Sequence, residues 1–124
     1  MIWLTSCSSK SSQEDLTKDI KNVSSWSATA YMVGDAWIHD AVPNKYAQAT
    51  LKKAQTEILT ERDSIVKIPT SDKSVLLTKV LILADKTEKI STAIAQKNRS
   101  EVRKSLAELA VESQALKKLK AIPE

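Results

Sequence analysis

Apolar side chains recur every three or four residues along most of this chain, the period of an amphipathic helix with one buried face. In the first segment the repeat takes Leu16, Ile20, Val23, Ala30, Gly34, Trp37 and Ala41, with Trp26 and Val33 beside it. Ser11-Ser12-Gln13-Glu14 has the form of a capping box, in which a hydroxyl and a carboxylate satisfy free N–H groups at a helix start. Pro43 disfavours helical backbone at Val42, so the first helix should end near Asp40. Pro43 itself suits the first turn of a second helix, where its missing N–H costs nothing. That helix buries Ala47, Leu51, Ala54, Ile58 and Ile65 and closes at Ile68-Pro69. Glu61 falls in the seam of this stripe, the one carboxylate to check for burial.

Thr70, Ser71 or Asp72 can cap a third helix with the stripe Leu76, Val80, Leu83, Thr87, Ile90 and Ile94. A break follows at Lys97-Asn98-Arg99, and Asn98 with Glu101 makes a second capping-box pattern. The fourth helix carries Val102, Leu106, Leu109, Ser113 and Leu116, and Pro123 stops it. Four helices of similar length joined by short loops predict an all-α, antiparallel up-down-up-down four-helix bundle. Residues 13–124 form this single domain, behind a leading segment 1–12.

Composition supports helices over strands. With one glycine, three prolines and no phenylalanine in 124 residues, a turn-rich β architecture has too few turn formers. No run approaches the ~18 apolar residues of a membrane span. The net charge is +4, but residues 11–40 carry five acids against two lysines, so an acidic first helix faces more basic neighbours. The bases are spread over three helices and the aromatics other than Tyr46 lie elsewhere, an arrangement that argues against nucleic acid.

Candidate chemistry is sparse. His39 is the only histidine; Asp35 four residues earlier and Met32 seven earlier share its helix face. That face lies opposite the apolar stripe, so the pair is expected in water, where an active-site pKa is hard to build. A di-iron bundle needs two Glu-x-x-His motifs, and a phosphate loop needs several glycines; neither is present. The expectation is a protein without catalysis, metal or cofactor.

Cys7 is the only cysteine, and it closes the string Leu4-Thr5-Ser6-Cys7 before a serine-rich run from Ser8 to Ser12. This resembles the lipobox of bacterial lipoproteins, with an apolar residue and two small ones before the cysteine that is lipidated. The resemblance implies attachment through lipid on Cys7, a flexible tether over the following residues, and a place in the bacterial cell envelope, on the periplasmic or extracellular face. Met1 to Leu4 fall short of the apolar stretch of roughly 7–15 residues in a secretory signal, so 1–12 reads as a truncated signal, lipobox and tether. The alternative is a plain thiol in a polar tail.

Two surfaces remain for a partner. Val23 to Gly34 runs twelve residues without a charge, and Trp26, Tyr31, Trp37 and Tyr46 gather toward the first inter-helix corner. Trp26 and Trp37 lie three helical turns apart on one face, a place for a protein anchor or, alternatively, for a small apolar ligand. In the third helix, Leu77, Leu81 and Ile82 lie off the core stripe and offer a partner or self-association face. The function read from these features is protein–protein interaction by a lipid-anchored bundle.

Overall fold

The structure, a computed structural model, describes residues 2–69 and 73–120, with side chains from residue 13 to residue 119. The described residues form four helices: α1 (Ile2–Ile38), α2 (Asn44–Lys67), α3 (Ser74–Ala95) and α4 (Arg99–Lys120). Among the described residues there is no strand. Each helix packs on the next, and α4 packs back on α1, while α1 and α3 touch across the middle. The α1–α4 seam is the thinnest of the four neighbouring pairs. No helix among the described residues is long and apolar enough to cross a membrane.

The stripes fill the centre. Every expected position of α2 and α3 is buried, joined by Ala84 and Ala93. On α4, Val102, Leu106, Leu109 and Leu116 are buried, whereas Ser113 is half-buried. On α1, Ile20, Val23, Ala30, Val33 and Trp37 enter the core and Leu16 packs at its edge. Ala41 is exposed instead, because α1 has already ended three residues before it.

Helix ends follow local chemistry. Asp40 and Lys97 both adopt positive φ, at 58° and 55°. Each sits one residue past a helix C-cap and closes the same pair of backbone bonds. Ala41 N–H reaches the Ala36 carbonyl and Asp40 N–H the Trp37 carbonyl; Asn98 and Lys97 repeat this with Ala93 and Ile94. This is the Schellman arrangement, which glycine usually serves. The single glycine is instead inside α1, where a Cβ on Gly34 would stand 2.8 Å from Leu106 Cδ2 and 3.3 Å from Ile90 Cγ2. Its bare backbone lets α1 approach α4 and α3.

Several expected boundaries moved. α1 begins at Ile2, well before Ser11-Ser12-Gln13-Glu14, so that pattern lies inside a helix rather than at its start. No proline or glycine stands between residues 2 and 33 to interrupt it. Pro43 is the N-cap of α2, in extended conformation, one residue ahead of the first turn. Ile68 before Pro69 is extended, as the proline requires. Lys73 occupies the N-cap of α3, and its ammonium donates to the Val66 and Ile68 carbonyls at 2.6 and 2.7 Å, satisfying the open end of α2. Thr70, Ser71, Asp72 and Pro123 lie outside the described residues. Asn98 caps α4 as expected, its Oδ1 accepting from Glu101 N–H at 3.1 Å. The reciprocal half is missing, since Glu101 accepts from Ser105 Oγ.

Candidate functional site

The aromatic side chains do not form one surface. Trp37 is 6% exposed; its indole N–H donates to Asn44 Oδ1 at 2.5 Å, and the Arg99 guanidinium lies 5.4 Å from its ring. Arg99 also donates to the Ile38 carbonyl and meets Asp40 at 3.3 Å, which ties the start of α4 to the end of α1. Trp26 is half-buried against the core, with Lys53 Nζ at 6.0 Å from its ring. Eleven residues of helix correspond to roughly 16 Å. The two indoles share a direction but not a site. Tyr31 and Tyr46 stand in solvent.

On α3, Leu77 and Ile82 are half-buried, Leu77 against the core, and Leu81 is 43% exposed. Val75 is exposed on the same helix. Adjacent helices therefore cover part of the off-stripe apolar surface and leave Val75 and Leu81 open. The Cys7 side chain lies outside the described residues.

His39 is exposed, 3.7 Å from the similarly exposed Asp35 carboxylate, and its Nδ1 is engaged by the Asp35 carbonyl at 2.8 Å. Among the described residues no group of three or more potential metal-binding side chains comes together. Glu61, by contrast, belongs to a polar cluster between α1 and α2. Asp19 is 7% exposed and accepts from Ser64 Oγ at 2.6 Å, while Asn22 Nδ2 donates to Glu61 Oε2 at 3.3 Å. Burial, then the Asp19 carboxylate beside it, holds the Glu61 carboxyl above its ordinary value. A carboxyl kept protonated can donate to Asp19, whereas two charges there repel. The burial of Asp19 was not expected from the period, because Asp19 sits one residue before the stripe and its partner Ser64 comes from another helix.

The α1–α4 seam holds the other feature that sequence reasoning missed. A groove of about 290 Å³ runs between Ser24, Ser27, Ala28, Tyr31 and Met32 on α1 and Ala110, Ser113, Gln114 and Lys117 on α4. Ser24 Oγ and Ser27 Oγ are buried and meet no hydrogen-bond partner among the described residues. Buried Thr87 and Ser105 differ, for their hydroxyls reach the Leu83 carbonyl at 2.8 Å and Glu101 at 3.1 Å. The signal for Ser27 was present: the 4-3 spacing Leu16, Ile20, Val23, Ser27, Ala30, Gly34, Trp37 passes through it.

No family model matches this sequence, and no curated protein or solved structure matches it either.

Proposed function

We propose that this protein is a lipid-anchored, non-catalytic up-down-up-down helical bundle of the bacterial envelope that binds a protein partner through the outer face of α3. Support for the antiparallel order comes from the side-chain pairs between α1 and α2, whose numbers run in opposite directions: Asp19 with Ser64, Asn22 with Glu61, Trp26 with Lys53, Trp37 with Asn44. Short turns between consecutive helices agree with it. Lipid attachment at Cys7 rests on the lipobox resemblance alone.

The observation that carries the partner reading is Leu81. It stands 43% exposed beside half-buried Leu77 and Ile82, in a helix that has already supplied Leu76, Val80, Leu83 and Ala84 to the core. Exposed apolar surface beyond what the fold uses is the material of an interface. A cavity of about 580 Å³ opens beside Trp37, among Asp40, Asn44, Lys97 and Arg99, but Trp26 does not line it and the Trp37 indole N–H is already held by Asn44, so the two indoles do not make one ligand site.

Two measurements on the protein expressed from its genomic coding region in a bacterial host test the proposal. Cys7→Ala should move the chain from the membrane fraction to the soluble fraction. Leu81→Lys should abolish a chemically cross-linked adduct seen with the wild-type chain, while thermal unfolding stays unchanged. An adduct at twice the chain mass would identify the partner as a second copy. Membrane retention of Cys7→Ala removes the anchor, and an adduct indifferent to Leu81→Lys removes the α3 interface.

A further inference from the structure

The core repeats of α1 and α4 each carry a serine where a large apolar side chain belongs. On α1 the position is Ser27, between Val23 and Ala30; on α4 it is Ser113, between Leu109 and Leu116. Both serines line the same groove. Small residues at these two sites leave the space that the groove occupies. Ser27 is 0% exposed and its hydroxyl, like that of Ser24, meets no acceptor or donor among the described residues. Leaving a buried hydroxyl unsatisfied is unfavourable, and native chains rarely do so without a reason.

The groove is also polarised along its length. Arg99 of α4 touches Ile38 of α1, and Leu106 lies over Gly34, so rising numbers on α4 meet falling numbers on α1. Lys117 therefore lies toward the Ser24 end, and Ala110 toward the Tyr31 and Met32 end. Lys117 is the one ionisable side chain other than Tyr31 in the lining, and it is exposed. Tyr31 and Met32 are 40% and 69% exposed at the opposite end. From residue 24 to residue 32 the helix advances about 12 Å. The groove, of about 290 Å³, lies just under the roughly 300–1,000 Å³ of most ligand sites and suits a small ligand.

We propose that the α1–α4 groove binds a carboxylate-headed amphiphile of medium chain length. The head sits at Lys117, where the ammonium supplies a complementary charge, and the Ser24 and Ser27 hydroxyls, closed to solvent in the free protein, become its donors as the α1–α4 seam spreads to admit it. The chain lies over Ala28 and Ala110 toward Tyr31 and Met32, where apolar surface loses water on binding. A single lysine balances the one negative charge of a carboxylate but only part of the charge of about −1.5 to −2 on a phosphate monoester.

Isothermal titration of the full chain with decanoate, kept below its micelle-forming concentration, tests the site, with acetate and decanol as the two arms. Decanoate should bind saturably at one site, with acetate far weaker because it lacks the chain. Lys117→Gln should weaken decanoate by roughly threefold to fivefold, the worth of an exposed ion pair, and leave decanol unchanged. Ser27→Ala is expected to weaken decanoate while leaving the melting temperature equal or higher, since its hydroxyl bonds nothing in the free protein. Amide shifts on decanoate addition should map to α1 and α4 and spare α3. Saturable binding that ignores both substitutions, or no saturable binding at all, overturns the proposal. A lower melting temperature for Ser27→Ala would also overturn it, by showing that the hydroxyl already has a partner.

Discussion

α1 and α3 pack into the same core by different means. The α3 stripe is Leu76, Val80, Leu83, Thr87, Ile90 and Ile94, and all six are buried. Its one polar member is satisfied within the helix, through the Leu83 carbonyl. On α1 the corresponding face includes Ser27, Ala30 and Gly34, and Asp19 is buried beside it. What α1 lacks, its neighbours supply. Leu106 covers Gly34, Ser64 bonds Asp19, and Asn44 bonds the Trp37 indole. A helix of branched aliphatic side chains carries its own packing, whereas a helix of small and polar side chains depends on which residues stand opposite.

That difference can be broken most forcefully on α3. Leu83→Ala removes a fully buried side chain and should cost about 2–5 kcal/mol, read from the urea midpoint. A loss below about 1 kcal/mol would mean that α3 does not dominate the core. On α1 the corresponding break is addition, not removal. Gly34→Ala gains about 1 kcal/mol of helix propensity but crowds Leu106, and overpacking costs about 1–3 kcal/mol. The net should be a loss of about 1 kcal/mol that Leu106→Val largely recovers in the double variant, a coupling expected only of touching residues.

Glu61 sharpens the comparison through pH. Its folded pKa is raised, so its protonated form is favoured by folding. The stability it contributes is full below the unfolded value and is lost as pH rises through the folded one. Glu61→Gln keeps a neutral donor beside Asp19 at every pH. At pH 7 it should stabilise the chain by roughly 0.5–1.5 kcal/mol, the net worth of one hydrogen bond, and the gain should shrink toward pH 4. The Lys86–Glu108 pair, 3.0 Å apart between α3 and α4, has the opposite acid response. Hydrogen bonding to Lys86 lowers the Glu108 pKa, so its contribution is present above the unfolded value and is lost as pH falls through the folded one.

The smallest effects should come from the two matched helix ends. Lys97→Gly relieves a left-handed residue that costs about 1–2 kcal/mol, against glycine's own entropic penalty of about 0.5–1 kcal/mol. A gain of about 0.5 kcal/mol in thermal unfolding is expected, and less for Asp40→Gly. Aspartate tolerates this conformation better, and Asp40 would lose its contact with Arg99.

Much of this was legible in the order of residues. Period and proline placement gave four helices. The buried faces of α2 and α3 follow from spacing, because leucine, isoleucine and valine at one helical angle have nowhere else to go. The asparagine cap at Asn98 and the extended residue before Pro69 follow from single side chains. A helical period reports the angle at which a side chain leaves its own axis; it does not report what waits there. Tertiary structure therefore decided that Trp37 is enclosed and Trp26 only half covered, that Asp19 is buried, and that Leu81 stays open while Leu77 is partly covered. It also decided that the serines at the α1 and α4 core positions meet in one seam, with the Ser27 hydroxyl left unbonded by any described residue. Each of these outcomes depends on the register between helices distant in sequence.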